Sequence, residues 1–412
     1  CAFPSSSNGL EKRPKLRFPG FDEPWNTALL SDYFVKSTKK NSDGMISNVI
    51  CNSAKQGLIP QREYFDKDIA NSDNTNGYYI IESNDFVYNP RKSADAPYGP
   101  ISSYQYPEAG IVSPLYLCFR AKREINPLYF EWYFRSSTWH RYIYMSGDSG
   151  ARHDRVSIKD DVFFAMPINV PSAKEQERIS LFLDAIERRI ETQRTLVETL
   201  KKYKRGVISA LLSSKSNPYY SSETWKEVAL CDVASGFEYG MNAAATVYDG
   251  SHKYIRITDI DDNSHLYSQD VPVSPEGQVD EKYRVRENDI LFARTGASVG
   301  KSYRYQRSDG DLYYAGFLIR IHVNSDVNCG YVFQNTLTEA YRRWVLLESA
   351  RSGQPGINAE QYKQYRFLLP PLELQNKIST LATNLDNLIC KEENLLSQIE
   401  QVKIALLQRL FI

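Results

Sequence analysis

The chain has 412 residues, enough for two to four domains at roughly 100–200 residues each. Its 50 Lys and Arg balance 50 Asp and Glu, which excludes a histone-like polycation and an acidic tail protein but leaves room for local basic patches. A hydrophobic content of 42% with 24% charged residues is that of a globular chain, and no apolar run approaches the roughly 18 residues of a membrane span.

The opening segment CAFPSSSNGLEKRPKLRF has no apolar core, which predicts no secretory leader. The missing Met at position 1 points to a fragment or a processed start. Six cysteines, at 1, 51, 118, 231, 329 and 390, form no Cys-x-x-Cys pair, and five scattered His add no zinc spacing. They are expected to be free, buried thiols in a reducing cytoplasm. The 29 Tyr and 18 Phe suit both recognition surfaces and sheet-rich cores.

Taken in order, the elements occur twice, about 200 residues apart. A Trp-led start, Pro24-Trp25-Asn26-Thr27, is followed by about 140 residues of aromatic-rich, strand-like sequence. Within it, Asn84-Asp85-Phe86-Val87-Tyr88 is a polar turn running into a short strand. Ala109-Gly110-Ile111-Val112-Ser113 is a further strand, and Ser146 to Arg152 a Ser-Gly loop.

Val170-Pro171 then opens a long helix. Its apolar seam runs Ile179, Leu183, Ile186, Ile190, Gln193, Val197, Leu200, Lys204, Val207, Leu211, alternating steps of four and three. Ser213 to Pro218 is a linker.

The second pass starts at Thr224-Trp225-Lys226-Glu227. Asn288-Asp289-Ile290-Leu291-Phe292 parallels the first turn and strand, Ala315 to Ile319 is aligned with Ala109 to Ser113, and Ala350 to Asn358 is a second Ser-Gly loop. After Pro370-Pro371 comes a seam of Ile378, Ala382, Leu385, Ile389, Glu392, Leu396, Ile399, Lys403, Leu406 and Leu410. The offset between the helices is 199 residues, and their polar breaks coincide, Gln193 with Glu392 and Lys204 with Lys403. Polar residues in an apolar seam fix register and partner.

These features predict an α+β chain with a pseudo-twofold internal repeat. Two similar mixed domains are separated by two long helices packed as an antiparallel coiled coil. The boundaries expected are a tail at 1–14, domains at 15–168 and 215–367, and helices at 169–214 and 368–412. A helix of about 36 residues spans roughly 54 Å, the length of about 16 base pairs.

Three near misses carry no chemistry. Thr295-Gly296-Ala297-Ser298-Val299-Gly300-Lys301-Ser302 resembles a phosphate loop but has three residues, not four, between its glycines. Asn217-Pro218-Tyr219-Tyr220 is similar to an adenine-methyltransferase motif but lacks the second Pro and any Gly-rich cofactor loop. Asp259, Asp261 and Asp262 fall at a strand end, where Asp makes turns. No Ser/His/Asp or Cys/His set stands out.

The duplicated layout, with Leu16-Arg17-Phe18-Pro19-Gly20-Phe21, Gln56 to Phe65, Tyr254 to Ile260 and the two Pro-gated helices, resembles the specificity subunit of bacterial Type I restriction–modification enzymes. The resemblance covers nearly the whole chain and rests on the layout rather than on one motif. It implies two target recognition domains, each reading one half of a split, asymmetric site on double-stranded DNA. It implies helices that set the spacer and dock two methyltransferase subunits, with restriction subunits joining the complex. Docking is assigned to Ile179, Leu183, Ile186, Ile190, Leu385, Ile389, Leu396 and Ile399. The subunit is expected to be cytoplasmic, non-catalytic and free of cofactor and metal, with S-adenosylmethionine, ATP and Mg in the partners.

A DNA reader needs cations for phosphate and Arg, Asn, Gln or hydroxyl groups for base edges. In the first domain Lys36, Thr38, Lys39, Lys40, Arg91, Lys92, Arg152 and His153 are the candidates. In the second they are Tyr239, Asn242, Lys253, Arg256, Arg294, Ser298, Lys301 and Gln354. Two alternatives stay open: a coiled-coil adaptor without DNA specificity, and a self-contained DNA-modifying enzyme.

Overall fold

The computed structural model describes residues 13–64, 75–147, 154–214, 217–350 and 355–412. The chain falls into two compact units, Cys1–Arg194 with Asn394–Ile412, and Thr195–Glu393. Each unit therefore contains part of both long helices.

In the first unit the Trp-led segment is a strand, Asn26–Leu29, antiparallel to Pro167–Val170, which leads into the first long helix, Ala173–Leu211. A four-stranded sheet follows, in the order Phe34–Lys36, Leu117–Ala121, Phe86–Tyr88, Ile101–Ser103. Its apolar face stacks Phe34, Phe86 and Phe119 against the helix Pro127–Arg135. Asn126 caps that helix by accepting from the Tyr129 amide, and Pro127 follows at its first position.

The second unit repeats this frame. Lys226–Ala229 pairs antiparallel with Arg366–Leu369, ahead of the second long helix, Leu372–Leu410. The four-stranded sheet is Ala234–Tyr239, Leu318–Val323, Asp289–Ala293, Ser302–Arg304. The capping residue is Asn328, which accepts from the Tyr331 amide at the start of Cys329–Asn335. Tyr129 Oη donates to the Asn169 carbonyl, and Tyr331 Oη donates to the Leu368 carbonyl, so each capped helix is tied to the strand before a long helix.

The aligned Asn-Asp turns are the same turn. Asn84 and Asn288 both sit at φ 68°, which a type II turn requires at its third position and which Asn tolerates. Asp85 accepts from the Glu82 amide and Asp289 from the Arg286 amide, both at 2.8 Å. Each turn thus delivers its Asp to the start of an interior strand of the four-stranded sheet.

One alignment is corrected. Gly110–Val112 does not correspond to Leu318–Val323 but pairs with Tyr79–Ile81 outside the large sheet; the counterpart of Leu318–Val323 is Leu117–Ala121. The second unit has a comparable two-stranded sheet, Lys253–Ile255 with Leu312–Tyr314, but it is parallel where the first is antiparallel. Short apolar runs of like composition carry no sign of which sheet they join.

The helices pair antiparallel within each unit. In the first, Lys403 Nζ lies 2.8 Å from Glu187 and Arg194 lies 2.5 Å from Glu400. In the second, Lys201 meets Glu393 at 2.8 Å and Lys204 meets Asp386 at 2.5 Å. As the number on one helix rises, that on the other falls. The seam residues are buried or half-buried throughout, including Gln193 and, at the position of Leu183, Ala382. Among the described residues no helix is long and apolar enough to cross a membrane.

Candidate nucleic-acid interface

In the first unit the basic loop continues the edge strand Phe34–Lys36. Lys36 bonds Asp160 at 2.5 Å, which raises its pKa. Lys39 is exposed, with Glu82 at 3.9 Å. Thr38 and Lys40 are exposed on the same segment. Arg91 and Lys92 are exposed on the loop after the Phe86–Tyr88 strand, where Lys92 donates its amide to the Asp154 carbonyl. Arg152 and His153 lie outside the described residues, as does Gln354 of the second unit.

In the second unit several candidates are committed to internal partners. Lys301 is largely buried, donating to the Ile260 carbonyl at 2.9 Å and pairing with Asp262. Arg256 forms a bidentate pair with Asp259 at 2.8 Å, and that bond raises its pKa. Lys253 donates to the Asp309 carbonyl at 2.7 Å. Lys301 therefore ties two loops together, and Lys301, Arg256 and Lys253 would all enter any DNA contact already bound. The aspartates act as the turn reading expects: Asp261 accepts from the Asn263 and Ser264 amides, and Asp259 from the Arg256 amide. Asn217 caps the first long helix through the Leu211 carbonyl, 2.5 Å away. No cluster of His, Cys, Asp and Glu among the described residues could hold a metal.

Thr295 to Lys301 joins Asp289–Ala293 to Ser302–Arg304 as an antiparallel hairpin, with no helix after it. A phosphate loop needs that helix N-terminus, so this hairpin is not one. Gly296 and Gly300 have φ of 75° and 84°, and a Cβ on Gly300 would sit 2.7 Å from Val345. Ser298 is half-buried in this hairpin. Nearby, Arg294 lies over the Tyr239 ring, 4.8 Å from its centroid, and Asn242 is exposed beyond the Tyr239 strand.

The thiols are mixed. Cys118 and Cys329 are buried, and burial pushes both up to about 12. Cys231 and Cys390 are exposed, contrary to the expectation of buried thiols.

The residues assigned to docking lie on the seam faces of the two helices. Ile179, Leu183 and Ile190 are buried in the chain, the first two within the core of the first unit. Ile389 is buried, and Ile186, Leu385, Leu396 and Ile399 are half-buried on the seam faces. The four buried side chains are covered by their own chain and leave little surface for another. Outside the seam each helix carries further exposed apolar residues that the seam periodicity does not single out; on the first helix Phe182 and Leu196 are fourteen residues apart with Arg189 midway between them. In the first unit Phe182 and Val402 are exposed, and in the second Leu196, Tyr203, Leu381 and Leu388. Their signal was present as apolar residues that the seam leaves unused.

Residues 222–401 match the Type I restriction modification DNA specificity domain. The chain is 23% identical over 309 residues to the Type I restriction enzyme StySPI specificity subunit of Salmonella potsdam, covering 71% of this chain and 66% of that one. It is 24% identical over 200 residues to the putative type I restriction enzyme MjaX specificity subunit of Methanocaldococcus jannaschii, covering 46% of each. The chain thus matches less than two thirds of the length of these relatives. In fold it is similar to the Type I restriction–modification S subunit of M. genitalium, with a TM-score of 0.57, 12% identity, and 97% and 99% of the two chains covered. A chain from a structure of complex assembly and conformational transition in a type I R-M system gives a TM-score of 0.58 at 15% identity, covering 96% of this chain and 99% of that one. The resemblance to specificity subunits is borne out, by sequence and by fold.

Proposed function

We propose that this chain, which carries the Type I DNA specificity domain over residues 222–401, is the DNA-reading subunit of a Type I restriction–modification complex. Each unit reads one half of a split target on double-stranded DNA, and the helices set the gap between the halves. The observation that carries this reading is a frame built twice with loops that differ. The same capped helix, the same Asn-Asp turn and the same four-stranded sheet recur, while the segments presented between them share little sequence. Phosphate contacts position a protein without reading sequence, and varied side chains at base edges supply specificity.

In this reading the chain is non-catalytic. S-adenosylmethionine, ATP and Mg belong to two methyltransferase subunits and the restriction subunits. Methyltransferases dock on the exposed apolar residues of the helices rather than on the seams.

The test is an exchange of residues 215–367 for the matching segment of a related chain. One half of the methylated target is expected to change and the other to persist. A change in both halves, or in neither, defeats the modular reading. DNA affinity is expected to fall steeply with salt, because bound cations release counterions from the duplex; salt-independent behaviour favours an adaptor.

A further inference from the structure

We propose that Arg294 is the guanine-reading residue of the second unit, an inference that rests on the DNA-reading role proposed above. Its backbone is fixed on both sides. The Arg294 amide donates to the Phe317 carbonyl at 3.1 Å, and its carbonyl accepts from the Ile357 amide at 2.9 Å. The guanidinium carbon sits 4.8 Å from the centroid of the Tyr239 ring. Tyr239 is in turn held, its hydroxyl accepting from the Ala359 amide at 3.2 Å. A planar cation on an anchored ring has lost most of its rotamer freedom before any ligand arrives.

This cation is not neutralised by a neighbouring acid among the described residues. Its Nε is buried and has no hydrogen-bond partner among the described residues, which leaves the outer edge of the guanidinium as the part open to a ligand. Arg256, Arg284, Arg320 and Lys301 of the same unit each hold a carboxylate. No carboxylate reaches Arg294 among the described residues.

The first unit distinguishes base reading from phosphate contact. The Val156 amide donates to the Pro90 carbonyl at 2.9 Å, as the Ile357 amide does to that of Arg294. The bridge between Arg91 and Arg155 matches that between Thr295 and Gly356. Pro90 therefore occupies the frame position of Arg294. The phosphate backbone is the same at every base pair, so a phosphate contact gives no reason to keep Arg in one unit and Pro in the other. A base contact does, and the Arg fork suits the O6 and N7 acceptors of guanine in the major groove.

The experiment uses the full chain with its methyltransferase partner. The methylated motif is mapped, and binding is measured to duplexes carrying that motif with 7-deazaguanine at one guanine at a time. For the wild type, one guanine in one half-site is expected to lose about tenfold in affinity when its N7 is removed. Arg294→Lys and Arg294→Gln are expected to lose that sensitivity and the preference for that G·C pair, with the other half-site unchanged. The inference is overturned if Arg294→Lys keeps the preference, if both variants weaken all sequences evenly, or if no guanine in the wild-type complex is sensitive. Where a variant does not fold, the wild-type measurement still overturns the inference if no guanine is sensitive, and Arg294→Met, which keeps the stem over Tyr239 but not the fork, supplies the second variant. Absence of any split motif defeats the DNA-reading role itself, whereas a split motif without this sensitivity defeats only the assignment of Arg294.

Discussion

Lys403 Nζ lies 2.8 Å from Glu187 Oε2, and each residue is most of the way out of solvent. The 199-residue offset turns this pair into its repeat equivalent, Lys204 with Asp386. Each helix therefore places its seam lysine against a carboxylate of the opposite helix, once per unit. An apolar seam alone would accept slipped registers, and a lysine that must meet its carboxylate penalises them.

Reversing one charge tests that role. Asp386→Lys is expected to lower stability by about 1 kcal/mol, because Lys204 then faces a like charge. The double variant Lys204→Glu with Asp386→Lys is expected to recover most of the loss. Denaturant midpoints of wild type, Lys204→Glu, Asp386→Lys and the double variant give the coupling, and strict additivity would show that the pair does nothing for register.

A second prediction concerns Arg17. It grips Glu175 with two bonds of 2.8 Å, and Glu175 is only 1% exposed at the start of the first long helix. That bond raises the pKa of Arg17. Arg17→Met strands a buried carboxylate and is expected to cost about 3 kcal/mol. Glu175→Gln in the same chain should restore part of it, since the amide carries no charge to desolvate. A loss under about 0.5 kcal/mol in urea unfolding would sink this account.

Acid sensitivity should trace in part to His140. Burial against the Trp139 and Tyr98 rings pushes its pKa from 6.5 down to about 4. The unfolded chain then takes up a proton below about 6.5 that the folded chain refuses. The contribution is complete above that pH, declines as pH falls towards 4, and is constant below. The gap corresponds to at most about 3 kcal/mol. His265 is lowered by the same cause and acts with the same sign. Unfolding midpoints of wild type and His140→Phe at pH 7.5 and 4.5 measure it. The variant should lose less stability on acidification, and an equal loss would exclude His140.

The exposed apolar residues make a prediction about assembly. Leu196→Glu and Leu388→Glu change exposed side chains and are expected to leave folding within about 0.5 kcal/mol of wild type. They should reduce recovery of the methyltransferase in co-purification. Ile190→Glu, by contrast, places a charge in a fully buried position and should unfold the chain. Full recovery of the partner with both surface variants would move the docking site off the helices.

What was legible in the sequence was what repeats locally. The seam phases, the Trp-led strands and the Asn-Asp turns follow from spacing and turn chemistry, and all are present. The fate of individual cations was not. Lys301 looked free beside its glycines, but Asp262, distant in sequence, claims it. The docking face is not legible for another reason: each helix carries apolar residues outside its seam, and periodicity does not say which of them face its own chain. The placement of Arg294 on Tyr239 joins positions 55 residues apart, and no local pattern encodes it.

The most direct measurement is single-molecule methylation mapping of DNA from cells that carry this chain and its methyltransferase. The account predicts modified adenines in two short defined sequences separated by a fixed gap, the two sequences being different. A continuous motif, two identical halves, or no modification from a methyltransferase that is active with another specificity subunit would contradict it.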